Sequence, residues 1–178
     1  MFPSEDQKDP ICMTRGSRDG PVLDLENYLP FFITGLSNSL AAGASRTYRE
    51  HFGIGVAEWR LMTMLAQGEG LTLQTVADAT GVDKSAISRA ENILFKAGYT
   101  RSEPDEMDPR RKLIWLTPAG RELHDRVLKV ALAREALLMK GVNAEERRVL
   151  LNLLRRLSAN VPAVNAYDPA APAPRKRP

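Results

Sequence analysis

Apolar positions first become periodic at Leu25, Tyr28, Leu29, Phe32, Ile33, Leu36 and Leu40, a spacing that predicts a long helix over residues 25–50. Pro30 is tolerated in a first turn but kinks a helix interior, so a short helical turn and then a main rod from Pro30 are expected. The stripe is broader than one small module covers alone, which makes this helix a candidate dimerisation element. His51-Phe52-Gly53-Ile54-Gly55 interrupts it. Trp59, Met62, Leu65 and Ala66 then mark the buried side of a second helix over residues 57–66, which the break Gln67-Gly68-Glu69-Gly70 ends.

Residues 71–116 carry the densest local signals. Thr72 is placed to cap a short helix over residues 73–80, and Gly81-Val82 supplies a turn in which glycine adopts the left-handed backbone. Asp83 caps a second helix over residues 84–97, where Ile87, Ala90 and Leu94 form the inward stripe. Two short helices across such a turn make a helix-turn-helix, whose second helix enters the major groove. Lys84, Ser85, Ser88 and Arg89 lie off the stripe in its N-terminal half. Arg pairs with guanine, Ser donates or accepts, and Lys reaches phosphate. The plainer reading of such a face is solvation alone.

The following segment strengthens the DNA reading. Tyr99 to Ser102 and Lys112 to Leu116 are β-prone runs around a polar tip, which predicts a hairpin, or wing. Leu71-Thr72 can add a short third strand. Arg101, Arg110, Arg111 and Lys112 are candidate contacts to phosphate or the adjacent minor groove. Glu103, Asp105, Glu106 and Asp108 oppose them, so Asp108 is expected to pair with Arg110 and orient its guanidinium while the other acids face away.

Thr117-Pro118 restarts helix as N-cap and first residue, with Leu123, Val127, Val130 and Leu137 along a rod ending at Lys140-Gly141. Asn143 with Glu146 is a capping box for a last helix bearing Leu150, Leu153, Leu154, Leu157 and Val161. The expected division is an arm (1–22), a dimerisation helix and connection (23–56), a winged helix-turn-helix (57–117), dimerisation helices (118–161) and a disordered tail (162–178). The fold class is mainly α with a small β wing.

Composition adds limits. The net charge is +3, which Arg175, Lys176 and Arg177 account for alone, so any positive face has to be sorted locally by the fold. No apolar run spans a bilayer and no signal-peptide pattern is read, so no membrane partner is expected. The single Cys12 excludes an intramolecular disulfide framework and suits a reducing cytoplasm. No phosphate loop, nucleophile elbow or paired-ligand motif accompanies His51 and His124, so neither catalysis, a cofactor nor a metal is expected. Three alternatives stay open: redox sensing through Cys12, metal sensing through the histidines, and a winged helix that binds protein rather than DNA.

Val76-Ala77, Gly81-Val82, Ser85, Ile87-Ser88-Arg89, Leu94, Gly98-Tyr99, Arg101, Asp108-Pro109-Arg110-Arg111 and Leu116-Thr117-Pro118-Ala119-Gly120 together resemble the winged-helix signature of the multiple antibiotic resistance regulator (MarR) family. The likeness runs from about Leu25 to Val161. Ile93 and Phe95 are apolar where that family is usually charged, Glu91 is polar where it is often apolar, and Val56 stands where a Thr is common. The resemblance implies a homodimer built on the terminal helices, a pseudo-palindromic double-stranded DNA operator, and a small aromatic or anionic effector held between the dimer helices and the winged helix.

At that junction Phe32, Arg46, Tyr48, Arg49, His51, Trp59, Arg60 and Met62 are the candidate effector residues: aromatic and Met side chains for an apolar slot, Arg and His for an anion. The plainer reading makes Trp59 and Met62 core and the arginines solvated. The run from Ala44 to Arg49 and from Gly53 to Arg60 is similar to regulators of aromatic-acid breakdown, including those answering to hydroxycinnamoyl-coenzyme A thioesters. That resemblance implies a repressor released by an aromatic acid or its acyl-coenzyme A thioester.

Overall fold

A computed structural model describes residues 14–17, 20–68, 70–105 and 107–170 of the chain. The described elements are β1 (Thr14–Ser17), β2 (Gly20–Leu23), α1 (Leu29–Phe52), α2 (Val56–Leu65), α3 (Leu73–Thr80), α4 (Lys84–Lys96), β3 (Thr100–Pro104), β4 (Lys112–Leu116), α5 (Pro118–Leu138) and α6 (Ala144–Asn165). The fold is mainly helical with a small antiparallel wing. Residues 13–134 form one compact unit, and residues from Glu135 onward belong to another.

Local capping sets most of these boundaries. α1 begins at Leu29 because Pro30 stands in its first turn, where a missing N–H is no loss. It ends at Gly53, whose amide bonds to the Arg49 carbonyl at 3.1 Å, so His51 closes the helix rather than breaking it. At α2, Gly55 N donates to the buried Glu58 carboxylate at 2.7 Å, which satisfies both groups. Thr72 Oγ1 caps α3 by accepting from Thr75 N at 3.1 Å. Asp83 Oδ1 caps α4 through Ser85 N at 2.8 Å. Asn143 and Glu146 exchange bonds of 2.9 and 2.8 Å at the head of α6.

The core lies within the first unit. Leu61, Met62, Leu65, Val76, Ile87, Leu94, Ile114, Leu123 and Val127 form one buried cluster drawn from α2, α3, α4, β4 and α5. It fixes α3 and α4 at the helix-turn-helix angle, and the turn needs Gly81 at φ 64°. The wing pairs Thr100↔Leu116 through Pro104↔Lys112, and Leu71 bridges Ile114 as a one-residue third strand. Thr117 joins wing to α5: its hydroxyl donates to Gly98 O at 2.7 Å and accepts from Gly120 N at 3.1 Å. Gly120 itself lies against the Tyr99 backbone, and a Cβ there would stand 2.9 Å from the Tyr99 carbonyl carbon.

Several expectations are corrected. Residues 14–17 and 20–22 of the expected arm, together with Leu23, pair as a hairpin with Thr14↔Leu23 and Ser17↔Gly20 in register. The helix of the last segment runs through Pro162 to Asn165, because Pro costs one amide donor but the flanking turns still close, with Ala166 N on Pro162 O at 3.0 Å. Cys12 and the basic Arg175, Lys176 and Arg177 lie outside the described residues.

Two sets of apolar side chains stay uncovered. In α1, Leu29, Phe31, Phe32, Ile33 and Leu36 are exposed. α6 has no buried residue, and Leu150, Leu153, Leu154, Leu157 and Val161 are 37–48% exposed.

Candidate nucleic-acid interface and effector junction

The N-terminal half of α4 presents Lys84, Ser85, Ser88 and Arg89 away from the core formed by Ile87, Ala90 and Leu94. Their chemistry is partly committed to the helix itself. Ser85 Oγ donates to the Asp83 carboxylate, and Arg89 donates to Ser85 Oγ at 3.0 Å. This chain holds the Arg89 guanidinium along the exposed helix face, where a guanine edge can take its remaining donors. The Ser85 hydroxyl, then the Ser85 and Ala86 amides, hold the Asp83 carboxyl below its usual range. The cap therefore stays ionised at neutral pH.

In the wing the described acids are spent on the hairpin. Asp108 does not pair with the Arg110 guanidinium as expected; its carboxylate accepts from Arg110 N at 3.1 Å, and its carbonyl accepts from Arg111 N at 2.8 Å. Asp105 accepts from Met107 N at 2.9 Å in the same manner. These short Asx turns need no long side chain, so Asp wins over Glu there and the Arg110 and Arg111 side chains stay exposed. Arg101 is the exception: it is ion-paired to Glu103 and lies 4.7 Å over the Trp115 ring. That contact braces the wing and commits one of the guanidinium nitrogens to Glu103.

Between α4 and the wing lies a cleft of about 510 Å³. Lys84, Arg110, Arg111 and Lys112 line it, over a floor that includes Leu73, Phe95 and Ile114. The geometry thus gathers four of the expected cations beside the recognition helix. It also brings in Glu91 and Asn92, which helical spacing from Ser88 shows to share that side.

The effector candidates fall into three groups. Tyr48 and Trp59 meet edge-on at 5.9 Å, and Trp59 stacks on His124 at 5.2 Å and 23°. Burial pushes the Tyr48 phenol up, against the charge and hydrogen bond of Arg134. Arg46, Arg49 and His51 are exposed along the last two turns of α1, with Arg60 half-buried on α2. His51 packs beside Phe52, and Arg126 lies 5.6 Å over the Phe52 ring. Phe32 and Met62 do not join them. Met62 is fully buried core, and Phe32 stands 53% exposed, more than four helical turns from Tyr48.

His124 and Arg134 of α5 were missing from the sequence-based set. Their signal was helical spacing: His124 flanks Leu123 and Val127 on the buried face. His124 Nδ1 lies 2.8 Å from Asp125 Oδ1. Among the described residues no group of three or more His, Cys, Asp or Glu converges as a metal site would require.

A helix-turn-helix with its recognition helix exposed, braced by a two-stranded wing, defines the class of winged-helix DNA-binding proteins. The profile of the MarR family matches residues 52–111. A MarR/EmrR family transcriptional regulator from Acinetobacter sp. ADP1 superposes with a TM-score of 0.74 at 30% identity, covering 79% of this chain and 99% of that one. A MarR family regulator from Silicibacter pomeroyi gives 0.69 at 29% identity, with 78% and 92% covered. The HTH-type transcriptional regulator TtmR of Methylorubrum extorquens is 25% identical over 163 residues, 86% of this chain and 82% of its own length. The chain belongs to the MarR family of winged-helix transcriptional regulators. No described helix is long and apolar enough to cross a membrane.

Proposed function

We propose that this regulator is a homodimeric repressor that binds a pseudo-palindromic operator and leaves it when an aromatic acid, or its acyl-coenzyme A thioester, occupies the junction at Tyr48 and Trp59. The observation that carries the DNA side is the cleft where Lys84, Arg110, Arg111 and Lys112 converge beside α4. Two such faces related by a two-fold axis meet half-sites about one helical turn apart. The uncovered stripes of α1 and α6 support the dimer. Burying the remaining exposed part of the five α6 side chains is worth roughly 3–6 kcal/mol per helix, at about 1.5–3 kcal/mol for full burial of each.

The effector side rests on the aromatic contacts of Tyr48, Trp59 and His124 with Arg134 beside them. Planar rings stack there, and the nearby Arg46, Arg49 and Arg60 supply charge for a carboxylate or for coenzyme A phosphates. A ligand that favours the wrong spacing of the two recognition helices by a few kcal/mol empties the operator. Titration of the protein–DNA complex with free aromatic acids, their thioesters and peroxide tests this. Release by an aromatic compound that Trp59→Ala abolishes is the expected result. Release by peroxide alone, abolished by Cys12→Ser, would replace the junction with a thiol trigger.

A further inference from the structure

We propose that Glu91 is an electrostatic brake on phosphate binding, an unpaired carboxylate set inside the cationic cleft between α4 and the wing so that it weakens attachment to duplex DNA of any sequence. Every other acid described near that surface is engaged. Asp83 caps α4, Glu103 pairs with Arg101, and Asp105 and Asp108 hold wing amides. Glu91 is half-buried, lines the cleft, and has no hydrogen bond or ion pair among the described residues. It therefore adds nothing to the hairpin or to the helix ends. Its charge acts on what enters the cleft.

With α4 in the major groove and the wing at the adjacent minor groove, the strand between them passes this cleft and presents a phosphate to it. That placement rests on the docking proposed above. A phosphate beside Glu91 meets a like charge that partial burial shields from salt. Burial already pushes this carboxyl up, and Lys112 pulls it back. An arriving phosphate pushes it further up, so binding takes up a proton. The charged groups facing Glu91 are Lys84 on its own helix and Arg110, Arg111 and Lys112 on the wing. Thr72, Leu73 and Gln74, on the α3 side of the cleft, carry no charge.

Removing the charge should therefore tighten binding. One unit charge about 6 Å from a phosphate, at an effective dielectric between those of water and a protein surface, corresponds to roughly tenfold in affinity. Glu91→Gln, isosteric and uncharged, is tested against a mixed-sequence duplex long enough for two half-sites. Binding roughly a hundredfold tighter than wild type, about tenfold for each of the two protomers, with a flatter rise in affinity as pH falls from about 8 to 5, is expected. Equal or weaker binding by a variant with unchanged thermal unfolding overturns the brake, and weaker binding would make Glu91 a base contact or a brace for Lys112. Proton uptake by the wild type, read by calorimetry at about pH 5.5 in two buffers, needs no variant; an uptake of zero overturns the proposal. Arg110→Ala separates the two readings: unaltered affinity there means that DNA does not occupy the cleft, whatever Glu91 does.

Discussion

Gly120→Ala tests how the wing is joined to α5. A Cβ at this position would press on the carbonyl oxygen of Tyr99 and stand 2.9 and 3.2 Å from its carbonyl carbon and Cα. These are backbone atoms, so no side chain can swing aside. The same Tyr99 oxygen accepts from Thr117 N at 3.0 Å, and the Thr117 hydroxyl is tied to Gly98 O and Gly120 N. Relief requires a shift of about 1 Å through that knot, which places the cost near the upper end for overpacking, about 3 kcal/mol. With a urea slope of about 2 kcal/mol per molar, the midpoint falls by roughly 1.5 M, a large part of a domain's usual 5–15 kcal/mol. Gly35→Ala is the control, since nothing lies within 4 Å of a Cβ there and the helix gains about 0.5–1 kcal/mol. Both unfolding curves are recorded at one protein concentration, because association shifts the midpoint. A Gly120→Ala midpoint equal to wild type would refute the close approach and the role given to Thr117.

Arg89→Ala should lose about 1–3 kcal/mol at the operator and relax preference at one base pair per half-site; an equal loss on every sequence reassigns it to phosphate. Arg110→Ala should weaken binding on all sequences and reduce the salt slope by about 1 per protomer, and an unchanged slope removes it from the phosphate contacts. A chain ended after Asn143 lacks the whole α6 stripe, so sedimentation should find it monomeric or insoluble, whereas a stable dimer would move the interface elsewhere. Asp83 has a folded pKa below its unfolded value of 3.8, so its cap is fully present above that value and is lost as pH falls through the lower one. Amide exchange at Ser85 and Ala86 should accelerate over that acid range in wild type but not in Asp83→Asn; identical profiles would disprove the cap's titration.

Nearly all of the helix-turn-helix was legible in the chain, because its determinants act over a few residues. Thr72, Gly81, Asp83, Thr117 and Asn143 each satisfy or turn the backbone within about four positions, and the elements start and stop where they stand. Apolar spacing likewise identified Ile87, Ala90 and Leu94 as the inward face. What tertiary structure decided was the use of charge and aromatic surface. Asp108 close to Arg110 in sequence suggested an ion pair, but the hairpin's short turn left unpaired amides that a short carboxylate satisfies first. Phe32 and Tyr48 share a helix, yet the rise along the rod separates them, while α5 brings His124 against Trp59 from 65 positions away. Glu91 shows the same limit most plainly. Its helical position is readable, but only the return of β4 beside α4 encloses it among cations.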